Sequence, residues 1–464
     1  MAIITSCAAP AFALSSASCF EGVGLHKFRF WTATAVVIAN MIGTGVFTSL
    51  GYQLQDIRSP FVLMMLWIVG GITALCGAMS YAELGAALPR SGGEYNFLGK
   101  IYHPAAGFVS GWMSALIGFA APTALAAITF GTYFVSVLPE AGSGPWVVKA
   151  LAATLVLVMT VVHASTHRNS GNTQVVFTAL KIVLICLFCA AALIMVPMPQ
   201  PISVLPAKGD ADLMFGGAFA VSLIYVSYAY TGWNAATYLS GEVENPQRIL
   251  PWVLFTGTAL VMVLYVLLNY MFLRVAPMDA LVGKLEIGFI AAQYAFGEIG
   301  ARMVGLILAL LLVSTVSAMT LAGPRVLQVL GEDFRIFAPL GKTNKDGIPV
   351  AAIWFQSILT LVFIITSSFE SILVFSGMLL ALNSFAAVLG LFVMRWKQPD
   401  LARPYRVFAY PVTPLVFLFL IGFTLVYVGI SRPMEALFSL AIVVSGLAFY
   451  AMTKVMDRRR AAKL

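Results

Sequence analysis

Ile42-Gly43-Thr44-Gly45-Val46-Phe47 interrupts the first long apolar block of the chain, and Tyr228-Ala229-Tyr230-Thr231-Gly232-Trp233-Asn234 interrupts the sixth. Glycine weakens a helix by about 1 kcal/mol relative to alanine. Polar side chains at mid-bilayer depth are costly unless they face a cavity. Taken singly, each stretch is also what a close helix-packing surface looks like. Their matched placement, five spans apart, is the pattern of paired discontinuous helices around a binding site.

The blocks around these stretches define the class. Of 464 residues, 60% are hydrophobic and only 10% charged, against about 25% charged in a soluble domain. The apolar residues fall in runs of about 20, the length of a bilayer-spanning helix. The alternating segments of a membrane β-barrel are absent. We therefore predict an all-α integral membrane protein with twelve spans near 30–53, 60–87, 105–138, 146–164, 172–196, 213–239, 250–275, 302–329, 349–367, 371–394, 411–430 and 434–453. Short connections leave no room for a separate soluble domain, so residues 26–454 read as one transmembrane unit. It lies between a tail at 1–25 and a basic tail at 455–464. The first twenty residues lack a basic n-region and make a poor signal peptide. They read as a cytoplasmic extension or a start site placed too early.

With the N-terminus inside, nineteen Lys and Arg fall in inner segments, seven in outer ones, and Lys181 inside a span. This bias fits the positive-inside rule with both termini cytoplasmic in an inner or plasma membrane. It explains the net charge of +8 without nucleic acid. Arg458-Arg459-Arg460 is expected against anionic lipid headgroups.

Other signals carry no chemistry. Cys7 and Cys19 lie in the tail, and Cys76, Cys186 and Cys189 in apolar spans, where they read as small buried hydrophobes. His163 and His167 have metal-compatible i,i+4 spacing, but no glutamate follows the first histidine, and a solvated or headgroup-facing pair is expected. His26 and His103 are isolated. Glu242 and Glu244 read as a charged helix end or as partners of Arg248, and Glu83 as a structural partner of loop cations. No nucleophile–base pair or P-loop occurs, so neither an enzyme nor a primary pump is expected, and no cofactor or metal.

The two interruptions have a physical use if spans 1–5 and 6–10 form an inverted repeat. Unwinding a helix frees N–H groups at one new end and carbonyls at the other. The N–H groups and positive dipole end attract a carboxylate, and the carbonyls accept from an ammonium. Such a site holds an α-amino acid zwitterion without a charged side chain.

Three motifs carry a family resemblance: Ile42-Gly43-Thr44-Gly45-Val46-Phe47; Ser80-Tyr81-Ala82-Glu83-Leu84-Gly85 with Pro89-Arg90-Ser91-Gly92-Gly93-Glu94-Tyr95; and Ala229-Tyr230-Thr231-Gly232-Trp233-Asn234 running on to Gly241-Glu242-Val243-Glu244-Asn245-Pro246. A weaker match is Pro324-Arg325-Val326-Leu327 onward to Gly347-Ile348-Pro349-Val350. The chain resembles the amino acid–polyamine–organocation (APC) superfamily, nearest to bacterial permeases of the L-type amino acid transporter kind.

The resemblance implies a LeuT-type fold, with inverted five-helix repeats at about 30–196 and 213–394 and extra helices at about 411–453. It implies that Gly43, Thr44 and Gly45 hold a substrate carboxylate, and that carbonyls near Ile42, Tyr228 and Ala229 take the amino group. Tyr230, Gly232 and Asn234 complete the expected site, with Tyr228 as an aromatic lid over the substrate. Thr231 stands where L-type relatives often carry glycine, which favours small or polar amino acids.

Lys181, in Thr178-Ala179-Leu180-Lys181-Ile182-Val183, is either a snorkelling side chain or, as the resemblance implies, a substitute for bound sodium bonded to carbonyls of the first break. The expected activity is sodium-independent α-amino acid transport, by exchange, facilitation or proton coupling. Some eukaryotic relatives bond a glycoprotein through a cysteine after span three. The corresponding loop, Pro139 to Lys149, has none, so no disulfide-linked partner is expected. The alternatives are a polyamine or organocation carrier, for which neither break supplies a carboxylate, a sodium symporter using Ser314, Thr315 and Ser317, and an amino acid sensor. For the sensor reading, neither terminus offers a signalling extension.

Overall fold

The computed structural model describes residues 28–138, 144–165, 170–196, 199–203 and 205–461. The tail with Cys7, Cys19 and His26, loop positions 139–143, His167, and the side chains of Glu242 and of Arg458, Arg459 and Arg460 lie outside what is described.

Among the described residues the chain is helical, with one isolated bridge between Phe28 and Val243. The first apolar block forms two helices, α1 (Phe30–Met41) and α2 (Gly45–Asp56), broken at Ile42–Thr44. α3 (Pro60–Ala87) starts on a Ser59 cap that accepts the Val62 N–H, with Pro60 where a missing N–H is harmless. A short α4 (Glu94–Ile101) leads to α5 (Pro104–Met113), which passes through a π-helical turn at Ser114–Gly118 into α6 (Ala120–Val137). α7 (Pro145–Ser165), α8 (Ser170–Met195) and the short α9 (Asp210–Met214) follow.

The sixth block repeats the interruption, as α10 (Gly217–Tyr230) and a one-turn α11 (Ala235–Tyr238). Then come α12 (Pro246–Val275), α13 (Met278–Leu281) and α14 (Ile287–Asp333). α14 holds a kink at Gly297, whose φ of 71° leaves the helical region. The span expected from 302 thus begins near this kink, and Ile287 to Phe296 form a separate leading turn set that the charged pair Glu298 and Arg302 had masked in the sequence. α15 (Ala338–Gly341), α16 (Val350–Thr366), α17 (Phe369–Lys397), α18 (Val412–Ser431) and α19 (Pro433–Ala461) complete the chain.

Ten helical segments among the described residues are long and apolar enough to cross a bilayer. The other two expected spans coincide with shorter apolar helices, α10 and α16. At 14 residues α10 extends only about 21 Å, short of a hydrocarbon core of about 30 Å, because its span is broken at Thr231. The protein is thus a multi-pass helical membrane protein. α3 lies along α12 and α6 along α14, while α1 packs on α12 and α8, and α10 on α2, α3, α17 and α18. The outer face of α8 bears Val176, Leu180, Val183, Leu187 and Ile194, exposed apolar groups suited to hydrocarbon. Cys186 is exposed on α8 and Cys76 half-buried, so of the described cysteines only Cys189 is the buried hydrophobe expected. Three residues at about 100° each leave Cys186 about 60° round the helix from Cys189, at the edge of its buried face.

The C-terminal ends of α3 and α17 are tied by Glu83, whose side chain is 0% exposed at the end of α3. Arg395 on α17 meets it in a two-pronged pair, Nε to Oε1 at 2.8 Å and Nη2 to Oε2 at 2.6 Å. The Val407 N–H adds a bond at 2.7 Å, and Arg403 stands 3.7 Å away. Stripping one partner from a buried pair costs about 3–5 kcal/mol, whereas an apolar replacement of both is often near neutral. Arg395→Ala is therefore expected to lower the melting temperature in detergent well below that of the Glu83→Leu/Arg395→Met double variant; equal losses would show that the pair does not hold this end together.

Candidate functional site

The two breaks face each other. A Cβ added to Gly45 would fall on the Ala229 backbone, and one added to Gly232 would lie 2.7 Å from the Asn40 carbonyl carbon. Gly232 also has φ of 105°, which L side chains avoid. Glycine is thus required at both places for α1–α2 and α10–α11 to touch, whereas at Gly43 the nearest atom, Thr315 Cγ2, is 3.5 Å away.

Partners fill most of the backbone groups that the breaks release. Tyr265 on α12 donates its hydroxyl toward the Met41 carbonyl and lies 3.1 Å from the Ala229 carbonyl, bridging both breaks. Thr231 Oγ1 and N–H both donate to the Tyr228 carbonyl. The Gly43 N–H turns back to the Met41 carbonyl at 2.8 Å. The N–H groups of Thr44 and Gly45, at the start of twelve-residue α2, have no acceptor among the described contacts.

Lys181 is 2% exposed on α8. Its Nζ donates to the Ile42 carbonyl at 3.0 Å and to Thr315 Oγ1 on α14 at 2.8 Å. It therefore joins α8, the first break and α14 from within the core, with no carboxylate against it among the described residues. Of the hydroxyls a sodium site would draw on, Thr315 receives Lys181, Ser317 is bonded to His163 Nε2 at 2.8 Å, and Ser314 donates to the Leu311 carbonyl. His163 is thus half-buried against α14 rather than solvated, because α7 packs on α14 at this level.

A cavity opens between the breaks. Gly43, Thr44, Gly45, Tyr228, Ala229, Thr231, Gly232 and Asn234 line it, but Ile42 and Tyr230 do not. Ile42 contributes through its carbonyl to Lys181, and Tyr230 points away to the Trp67 carbonyl at 3.0 Å. The rest of the lining includes Asn40, Phe119, Tyr238, Met319 and Ser384. On α2 a packed aromatic group lies outside the lining: the Tyr52 ring stacks on Phe369, with centroids 6.1 Å apart, and lies 5.7 Å from Tyr225. Tyr225 donates to Glu370 at 3.2 Å, and Arg432 bonds the same carboxylate at 2.6 Å.

α4 is tied to the end of α14, since Arg90 pairs with Asp333 at 3.0 Å and Tyr95 bonds Asp333. Burial, with the Asp333 carboxylate beside it, raises the Tyr95 phenol well above its ordinary pKa. Glu244 pairs with Arg29 at 3.8 Å, both exposed. Sequence reasoning missed Glu94, Tyr265 and Ser384, which reach the site from distant segments, and Tyr238, at the end of α11. Only the buried-polar character of Tyr81 and Glu94 near a Gly-Gly turn hinted at one of them.

Discontinuous helices meeting across a cavity inside an apolar bundle define a membrane carrier site rather than a soluble fold's cleft. The Amino acid permease family matches residues 28–448, and the chain belongs to that family, within the APC superfamily. It is 28% identical over 447 residues to the large neutral amino acids transporter small subunit 2 of Mus musculus, covering 92% of this chain and 81% of the relative. It is 28% identical over 426 residues to the b(0,+)-type amino acid transporter 1 of Homo sapiens, covering 90% and 85%. To the Asc-type amino acid transporter 1 of Mus musculus it is 26% identical over 443 residues, covering 93% and 82%.

The glycine contacts lead to a graded expectation. Gly45→Ala and Gly232→Ala should each lower the melting temperature of the purified protein by several degrees, while Gly43→Ala should leave it within a degree or so. A uniform response of all three in a thermal-shift series would mean that the close approach of the breaks is not what these glycines serve.

Proposed function

We propose that the chain is a sodium-independent secondary transporter of α-amino acids working by alternating access. The observation that carries this is the pair of facing breaks, with the Thr44 and Gly45 N–H groups unfilled at the positive end of α2. A substrate carboxylate there would accept from both. The ammonium would lie toward the carbonyls of Ile42 and Ala229, each with a lone pair beyond its present partner, and near that of Tyr228, which already accepts twice from Thr231. The printed functions of the relatives support an amino acid as cargo.

We read α1–α2 as one span and α10–α11 as another. With α16 this makes twelve spans in a LeuT-type arrangement, with repeats near 30–196 and 213–394. Both termini would be cytoplasmic, and the cavity would represent an inward-facing state, closed toward α2 by Tyr228 and Tyr52. Tyr228 is the expected lid. Lys181 takes the part of a bound cation, since its ammonium bridges the Ile42 carbonyl and Thr315. Protons and membrane lipid remain the expected partners besides the amino acid. No disulfide-linked partner is expected. A carrier of organic cations is favoured by one observation only, the Glu94 carboxylate near Asn234.

The first test is uptake of a labelled amino acid panel into proteoliposomes loaded with unlabelled amino acids, with and without sodium. Saturable uptake of one subset, equal in both media, is expected; uptake only with sodium would overturn the coupling, and polyamine uptake alone would overturn the cargo. Lys181→Ala should cut this uptake at least tenfold, as the Ile42 carbonyl and Thr315 lose a buried charged donor worth about 1.5–3 kcal/mol. Full activity in that variant would remove Lys181 from the mechanism. Thr231→Gly should shift the panel toward larger side chains, and an unchanged profile would sink the role given to Thr231.

A further inference from the structure

Glu94 is the first residue of α4 and only 1% exposed, although it follows the Gly92-Gly93 turn. Its Oε1 accepts from the Tyr81 hydroxyl at 2.9 Å and from Asn234 Nδ2, in the second break, at 2.6 Å. Its Oε2 is buried without a partner, and no cation among the described residues pairs with it. The Tyr238 phenol stands against both Glu94 and Asn234. Asn234 and Tyr238 line the cavity, while Glu94 lies behind them.

This arrangement decides which end of the Asn234 amide the cavity meets. An amide has donors only on nitrogen and acceptors only on oxygen. A carboxylate oxygen at 2.6 Å requires the nitrogen end, since the reverse would press two acceptors together. Oδ1 is left for the cavity, since the one O–H of the neighbouring Tyr238 phenol is drawn to the Glu94 carboxylate and the phenol oxygen can accept from the Asn234 amide. The cavity wall at this point is therefore a fixed hydrogen-bond acceptor.

We propose that Glu94 is a specificity-determining positioning residue: by holding the Asn234 amide it makes the transport site select α-amino acids whose side chains donate a hydrogen bond, hydroxyl or carboxamide, over aliphatic side chains of the same shape. The proposal rests on the reading of the cavity as an amino acid site. An acceptor left unpaired by an aliphatic side chain loses a bond to water without replacement, which is the basis for strong rejection of analogues lacking the polar group. Glu94 does not touch the substrate and acts only through Asn234.

Threonine and valine have the same shape and differ in one donor, so their competition for binding to the purified full-length protein reads the proposal directly. The wild type should bind threonine at least about tenfold more tightly than valine. Glu94→Gln lets both amides turn over and should bring the ratio to within about threefold of one, mostly by weakening threonine. Adding Asn234→Asp to Glu94→Gln restores an acceptor facing the cavity, held by the new amide's N–H, and should restore the preference. Tyr81→Phe, which removes the other donor to Glu94, should leave the ratio as it is. A wild type that binds both amino acids equally, or a Glu94→Gln protein that keeps the wild-type ratio, overturns the proposal while leaving the amino acid site intact. If the wild type binds neither threonine nor valine nor any other α-amino acid, the reading of the cavity fails and the proposal with it. Should Glu94→Gln not fold, the wild-type ratio and its loss in Asn234→Leu decide the matter.

Discussion

A broken helix inside a lipid-enclosed bundle must find partners for the backbone groups it releases, because no water is there to take them. The rest of this structure depends on how that demand is met. Two breaks, at Ile42–Thr44 and at Thr231–Asn234, are pressed together where glycines remove the side chains that would separate them. Tyr265 reaches the Met41 and Ala229 carbonyls, Lys181 the Ile42 carbonyl, and Thr231 the Tyr228 carbonyl. What is left over is the N–H groups of Thr44 and Gly45, which have no acceptor among the described contacts.

The partners come from three different surroundings. Lys181 and Thr315 tie the first break to α8 and α14, and Tyr265 ties both breaks to α12. Asn234 ties the second to α4 through Glu94. A relative movement of these elements therefore changes which backbone groups at the breaks are satisfied. Beside α2, the stacked Tyr52 and Phe369 rings adjoin the half-buried Glu370–Arg432 pair. The Arg29–Glu244 pair is exposed, and in the Arg90–Asp333 pair the arginine is exposed and the carboxylate half-buried. Exposed pairs contribute about 0–1 kcal/mol each, so among the ion pairs the buried Glu83–Arg395 pair is the strongest tie.

Much of this was legible in the chain. Apolar run length marked the helices to within a few residues, since a bilayer sets one length for all of them. The paired Gly-bearing interruptions pointed to the meeting place of α1–α2 with α10–α11. The spans expected at 213–239 and 302–329 were the poorly read ones, because a broken helix and a kink at Gly297 disturb the periodicity that defines a span. Cys186 and His163 were misjudged for a related reason: hydropathy reports depth, not which way a side chain faces.

Sequence by itself determined the class, the depth of the breaks and the presence of a lone basic residue inside an apolar span, since each follows from the local chemistry of consecutive residues. Only the tertiary structure decided what those features meet. Lys181 bonds a carbonyl 139 residues away, Tyr265 joins two breaks, and a carboxylate that neither break contains arrives from α4 to orient Asn234. The physical reason is that hydrogen bonds act over about 3 Å in space, and the rotation of each helix about its axis, which selects the partners, is settled by packing against every neighbour at once.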